Sequence, residues 1–261
     1  MEVPMPFLLN SPDETSLISL SVRASESGRK KSRLDDSQSV SLAQKLGLDG
    51  KRYDNFFVHE NMVASAILIE KATRDFVGAH GECAVVNLGC GYDNLFGKVD
   101  NGKIFWYDVD LPEMMEKRKN IFSSGERFME LEGSALESGW TVFVAKDREP
   151  LIVAQGLSLH FSAKKISAML QILTDSFSTG HAIFDFWSPF AMSRLEKKYA
   201  IRDVRWGQGI KSCDEILKMN EKLELESEYL FSDLMQNFGW KSRRICRRKN
   251  EKDSRVAIFR W

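Results

Sequence analysis

Residues 83–119, CAVVNLGCGYDNLFGKVDNGKIFWYDVDLPEMMEKRK, carry the residue types from which a nucleoside cradle can be built. An apolar run over 83–88, with Asn87 near its end, closes on Gly89, Cys90 and Gly91. A second run over 104–107 closes on Asp108, Val109 and Asp110. Two glycines after a buried strand let the backbone turn tightly and let a ligand approach where a Cβ would collide. A carboxylate about 20 residues further on can accept hydrogen bonds from ribose hydroxyls. A dinucleotide fingerprint needs a third glycine three residues after the second, but Tyr92, Asp93 and Asn94 follow Gly91. Asp93 would also repel a pyrophosphate where bare amides are wanted. An acid there suits a phosphate-free ligand with cationic groups, S-adenosylmethionine (SAM), better than a dinucleotide. A purely structural turn with a solvated Asp108 is the plainer alternative.

Methyl transfer from a sulfonium is an in-line displacement with an activated leaving group, so alignment and exclusion of water carry most of the catalysis. A hydroxyl acceptor still has to lose its proton. The candidate bases near strand ends are His160 and, second, Asp185; a carboxylate acceptor would need neither. Packing of His160 on the helix that follows is the competing reading. Trp187 and Phe190 could line an acceptor pocket or belong to the core. Ser134, in the loop after the third strand, could meet an adenine edge or mark an ordinary turn.

These residues need a scaffold of alternating strands and helices. Apolar spacing predicts helices over 37–46 and 60–77, the second delivering the chain to the first strand. Pro112 and Glu113 start a helix whose other end carries Lys117, Arg118 and Lys119, both biases matching the helix dipole. A short strand over 127–131 follows. Residues 151–154 form an apolar run of the kind a strand buried on both faces shows, closed by Gln155 and Gly156. Ser162 caps a long helix, and a fifth strand over 182–186 closes on Asp185 and Phe186. Five alternations predict an α/β doubly wound, mostly parallel sheet. Residues 188–239 read as a helical lid or insertion, and 240–248 with 254–261 as a closing antiparallel hairpin joined by KNEKD. Residues 1–36 read as a flexible or partly helical N-terminal arm, with a flap over the ligand as the sharper reading, and 37–261 as one catalytic domain.

The 261 residues can bury one large core but are short for two full domains. With 37 basic and 37 acidic residues, bulk charge favours neither nucleic acid nor an anionic membrane. The basic cluster Arg243, Arg244, Arg247, Arg248 and Lys249 reads as a solvated hairpin, so no nucleic-acid partner is expected. Cys83, Cys90, Cys213 and Cys246 show no CxxC spacing, which fits free thiols in a reducing cytoplasm; no metal site is expected. The first residues lack the basic segment of a signal peptide, and no apolar stretch approaches the roughly 20 residues that span a bilayer.

The segments VVNLGCGYDN, YDVDLPEMMEKRK, GSALESGW, PLIVAQGLSLHFSAKKISAMLQIL and IFDFWSPF, with a later RWG, together resemble the leucine carboxyl methyltransferase and tetracenomycin-type polyketide O-methyltransferase family. The similarity runs over about 55–240, and DVDLPE with its glycine loop is its most specific part. It implies the class I SAM-dependent methyltransferase fold, a seven-stranded Rossmann-like sheet, and methyl transfer to an oxygen of a small polyketide-like or aromatic acceptor. Protein carboxyl methylation, or a SAM-fold binding protein without turnover, are the alternatives. Carried across, the resemblance makes Gly89 and Gly91 the methionine-side wall and Asp110 the ribose or adenosine carboxylate with Asp108 beside it. Ser134 and Ala135 flank the adenine. Gln155, before Gly156, stands where the family usually has Glu. The arginine that often follows the glycine loop is absent, as is an Arg-Thr pair whose place falls near Ser65 and Ala66. Arg23, Lys31 and Arg33 are the candidates to hold the cofactor carboxylate instead.

Overall fold

A computed structural model describes residues 7–9, 14–48, 53, 55–119, 121–122, 125–201, 206–245 and 253–261. The chain begins with β1 (Phe7–Leu9), α1 (Glu14–Ser27), α2 (Ser37–Lys45) and α3 (Phe56–His80). The alternating part follows: β2 (Ala84–Leu88), α4 (Phe96–Val99), β3 (Phe105–Asp110), α5 (Pro112–Arg118), β4 (Phe128–Glu132), β5 (Pro150–Ala154), α6 (Ala163–Ser176) and β6 (His181–Phe186). The last third holds α7 (Pro189–Lys198), β7 (Tyr199–Ile201), α8 (Cys213–Leu217), β8 (Glu224–Leu230), α9 (Phe231–Met235), α10 (Trp240–Ile245) and β9 (Arg255–Arg260).

Seven strands form one sheet in the order β4-β3-β2-β5-β6-β9-β8. All neighbours are parallel up to β6; β9 is antiparallel to both β6 and β8. Strand alternation sorts the core into two layers. Val85, Trp106, Leu151, Val153, Ile183 and Val256 join one, packed with α3 and α7. Val86, Tyr107, Ile152, Phe184 and Phe259 join the other, packed with α6. Both faces are covered, which is why the central strands read as unbroken apolar runs. The order reverses at β2, whose neighbours are β3 and β5, so the crevice outside the carboxyl ends of these strands is where a ligand fits.

One expectation is corrected. Residues 240–245 are helix α10, and the antiparallel partner of the last strand is β8, inside the stretch read as helices and loops. The sequence of β8, ELESEYL, is acid-rich and largely exposed, so it lacks the apolar alternation of a buried strand. Its acids are instead matched to basic residues of β9: Glu224 to Arg260 at 2.6 Å and Glu228 to Arg255 at 2.8 Å. Residues 246–250 and most of the KNEKD link lie outside the described residues, and with them Arg247, Arg248, Lys249 and Cys246.

The N-terminal arm, expected to be flexible or partly helical, holds a helix. Over 14–27 it is helix α1, which buries Ile18, Leu20, Val22, Arg23 and Glu26 against the rest of the chain. A charge network seats its far end. Arg33 donates to Glu26 Oε1 at 2.7 Å and Oε2 at 2.6 Å, and to the Glu60 carboxylate on α3 at 2.8 and 2.9 Å. His59 reaches Glu26 at 2.9 Å, and Ser242 of α10 donates to Glu60 at 2.5 Å. Burial opposes the Glu26 charge, but the Arg33 and His59 hydrogen bonds outweigh it and hold this carboxyl well below its usual range. Removing one partner of a buried pair leaves an uncompensated charge. Arg33→Met should therefore lower stability by about 3 kcal/mol in urea unfolding, and a loss under 1 kcal/mol would show that the network does not seat α1.

Candidate active site

At the end of β2 the backbone turns through Gly89 and Gly91, with φ of 71° and 50°. The Gly91 N–H donates to Asp110 Oδ2 at 2.8 Å, and the Leu111 N–H donates to Asp110 Oδ1 at 2.8 Å. The carboxylate at the tip of β3 therefore holds the glycine turn of β2 and its own following loop at once. A Cβ on Gly91 would lie 3.3 Å from the Ser16 Cβ, because α1 crosses directly above the turn.

Beneath this turn lies Arg118, at the end of α5 and fully buried. Its guanidinium donates to the backbone carbonyls of Gly91 and Asp93, to Asp108, and to Glu130 at 2.9 Å. Asp108 also accepts from Trp106 Nε1 at 2.7 Å and from Asn87 Nδ2 at 3.0 Å. Burial pushes Asp108 up to about 6 against the pull of Arg118, which leaves it ionised at neutral pH. Asp108 thus works below the crevice and does not line it; Asn87 does. Cys90 also faces the crevice, but burial and then the Asp108 charge keep its thiol protonated.

The roof is α1. Arg23 pairs with Asp93 Oδ1, and its Nε lies 3.8 Å from Asp36 Oδ2, too far for a hydrogen bond. That Nε is buried and has no hydrogen-bond partner among the described residues. Among the three basic residues considered for the cofactor carboxylate, Arg23 lines the crevice, Arg33 is committed to Glu26 and Glu60, and Lys31 is exposed.

At the ends of β5 and β6, Gln155 Nε2 donates to Ser65 Oγ at 3.0 Å and Ser65 donates to Asp185 Oδ2 at 2.8 Å. The Gly156 N–H donates to Asp185 Oδ1 at 2.6 Å. Burial raises Asp185 to about 6, with the Gly156 amide and Ser65 hydroxyl opposing. Both of its oxygens are engaged, so Asp185 positions Gly156, Ser65 and, through it, Gln155.

His160 stacks on Trp206, ring centroids 5.2 Å apart, and its Nε2 lies 3.2 Å from the Thr15 hydroxyl of α1. The stacking depends on Gly207: a Cβ there would fall 2.6 Å from the Phe161 carbonyl and 2.8 Å from that of Ser158. Burial, and then the Lys165 charge, lower the His160 pKa to about 4.

One cavity of about 450 Å³ joins all of this. Its walls include Asn87, Gly89, Gly91, Asp93, Asp110, Ser134, Ala135, Gln155, Gly156, His160 and Asp185, every site residue expected from the sequence except Asp108. Trp187 lines it; Phe190 instead packs edge-on against Phe57 at 5.9 Å. Sequence reasoning missed Ser65, Thr15 and Ser16 as wall residues, and read Arg118 only as a helix-end charge matching the dipole. The only signal for Arg118 was its place four residues beyond Met114 on an amphipathic helix. The cavity fits SAM by three observations: a glycine turn pressed against α1, an acid at the neighbouring strand tip, and a buried guanidinium nitrogen lacking a partner.

The fold is that of solved methyltransferases. A candidate methyltransferase from Thermobifida fusca aligns with a TM-score of 0.59 at 11% identity, covering 93% of this chain and 94% of that one. Magnesium protoporphyrin IX methyltransferase from Synechocystis, solved with bound S-adenosylhomocysteine, aligns with a TM-score of 0.51 at 13% identity, over 86% of this chain and 95% of that one. The leucine carboxyl methyltransferase family model matches residues 17–132. Tetracenomycin polyketide synthesis O-methyltransferase TcmP of Streptomyces glaucescens is 24% identical over 207 residues, 77% of each chain. Sheet order, cradle and family match define a SAM-dependent methyltransferase of class I. Within that class the chain is similar to the leucine carboxyl methyltransferase family over residues 17–132, and the resemblance read from its motifs is borne out. Among the described residues no helix is long and apolar enough to cross a membrane.

The depressed His160 pKa has a measurable consequence. Unfolded chains take up the His160 proton near 6.5 and folded ones near 4, so the wild type loses stability relative to His160→Gln as pH falls through that window. Urea unfolding at pH 7.5 and 4.5 should move the difference between the two proteins by roughly 1–3 kcal/mol against the wild type. A constant difference would mean that this imidazole is not shielded from water.

Proposed function

We propose that this methyltransferase acts on an oxygen of a small aromatic or polyketide-like acceptor that is itself acidic. The observation that carries this reading is the aromatic part of the cavity wall. Phe161, Trp187 and Trp206 line it with His160, which stacks on Trp206, and the exposed Lys165 holds its ammonium 5.8 Å from the Phe161 ring. Aromatic side chains offer flat apolar area with specific stacking geometry, which suits a planar ring. The cofactor, when bound, supplies an activated methyl group. Asp110 and the Gly89–Gly91 turn would hold its nucleoside and methionine parts, Ser134 and Ala135 its adenine, and Arg23 with Asp93 its amino-acid end.

The chain's own residues do the rest. α1 closes the crevice and excludes water, while the Asp185–Ser65–Gln155 chain holds the wall beside the acceptor. His160 is neutral at pH 7 and can accept a hydrogen bond or a proton. Each unit by which an acceptor's pKa exceeds that of the base costs about 1.4 kcal/mol in proton transfer. A base lowered to about 4 therefore suits a phenol acidified by conjugation better than a simple alcohol. Lys165 would stabilise the resulting phenolate.

A second reading is carboxyl methylation, favoured by the cation of Lys165 and by the family match over residues 17–132. A carboxylate is already ionised and needs no base. Labelled methyl transfer from SAM to panels of acidic phenols and of carboxylates separates the two readings. Turnover of a phenol that falls at least about tenfold in kcat in His160→Gln, with unchanged SAM affinity, is the expected result. Transfer to carboxylates alone, indifferent to His160, would replace the first reading with the second, and SAM binding without transfer would leave a binding protein.

A further inference from the structure

On the opposite edge of the sheet, at the amino ends of the strands, three residues far apart in sequence meet. His80 ends α3, Glu149 immediately precedes β5, and His181 opens β6. One donor atom from each lies within 4.8 Å of the other two. Glu149 Oε2 is 2.7 Å from His80 Nδ1, and Glu149 Oε1 is 2.9 Å from His181 Nε2. The other nitrogen of His181, Nδ1, faces Glu226 Oε2 of β8 at 3.1 Å. Phe76 stacks on the His80 ring at 3.8 Å and packs on His181 at 4.8 Å, which limits the orientation of both imidazoles.

We propose that His80, Glu149 and His181 form a site for a divalent transition-metal ion of the zinc type. Two imidazoles and a carboxylate are a donor set that such ions favour over calcium or magnesium, which seek oxygen. Bonds of about 2.0–2.1 Å would set the donors about 3.3 Å apart in a tetrahedral arrangement. His80 and Glu149 have side chains 30% and 41% exposed, so they have room to make that adjustment and leave the ion a path from solvent. Glu226 completes the arrangement: by accepting from His181 Nδ1–H it fixes the tautomer that leaves Nε2 as the ligand, the carboxylate–histidine–metal relay that tunes such sites. Water fills the fourth position.

An ion bound there ties the end of α3 to the first residues of β5 and β6 and, through Glu226, to the edge strand β8. Its role is a clamp on the sheet, remote from the methyl-transfer crevice, and it does not depend on the reading of that crevice. The sequence carries no trace of it, because residues 80, 149 and 181 form no ligand motif and converge only through the parallel sheet.

Titration of ZnCl2 into the purified full chain, followed by calorimetry and by thermal unfolding, tests the site. The proposal expects one Zn²⁺ per chain and a rise in Tm with zinc, and neither effect with CaCl2. His80→Gln and His181→Gln should each weaken zinc binding at least tenfold, while Glu226→Gln, which removes no ligand, should weaken it by about 10-fold or more. Circular dichroism and metal-free Tm identify any variant that is misfolded, and Glu226→Gln on the exposed edge strand keeps the test informative in that case. Zinc binding of equal strength in the His80→Gln/His181→Gln double variant, or no binding to the wild type tighter than about 100 μM, would overturn it.

Discussion

The buried guanidinium of Arg118 is the contact on which the cradle rests. A single planar group satisfies two loop carbonyls, Gly91 and Asp93, and two carboxylates, Asp108 and Glu130. A fully buried cation is tolerable only when every donor finds an acceptor, and here the acceptors belong to the elements that must be held in register. The carbonyls fix the glycine loop from below; Asp108 and Glu130 fix the adjacent strands β3 and β4. With the loop anchored, the Gly91 amide meets Asp110 from above, and the crevice has a floor of defined shape. Arg118 is also the point at which a lysine would fail, since only the fork of a guanidinium reaches four acceptors in one plane.

The upper half is assembled differently. The floor comes from sequence neighbours in the alternating sheet, whereas the roof is α1, held by charge. Arg23 meets Asp93 on the glycine loop, and Arg33 binds Glu26 and Glu60 at the other end of the same segment. Asp36 extends the Arg23 group to Lys98: burial opposes its charge, yet Arg23 and Lys98 keep its carboxyl below its ordinary value. Cofactor site and N-terminal segment therefore share ion pairs. The glycine loop itself carries no cation beyond Asp93, where Asn94 and Leu95 follow; the cation that meets it comes from Arg23 on the helix above.

The alternating core was legible because burial on both faces writes itself as apolar runs, and because glycines and acids at strand ends are rare enough to stand out. The strands 84–88, 105–110, 150–154 and 181–186 were therefore each found to start within one residue. β8 was missed because an edge strand is selected for charge matching, here Glu224 with Arg260, and not for hydrophobicity. The roles of Asp108 and Arg118 were missed for a related reason. Sequence shows that an acid and a base are present, but which side of the loop each occupies depends on side-chain direction, and both point beneath the crevice. Ser65 was noted only as the place of an absent pair; its bonds to Gln155 and Asp185 follow from α3 lying across the strand ends.

The central claim is that an adenosyl ligand lies across the carboxyl ends of β2 and β3 with Asp110 at its sugar. Calorimetric titration of S-adenosylhomocysteine into the wild type and Asp110→Ala tests it most directly. The account predicts one molecule bound per chain and an affinity at least about tenfold weaker in the variant, about 1.4 kcal/mol, with the far-ultraviolet spectrum unchanged. Equal affinity in the two proteins, or no binding to the wild type, would contradict it.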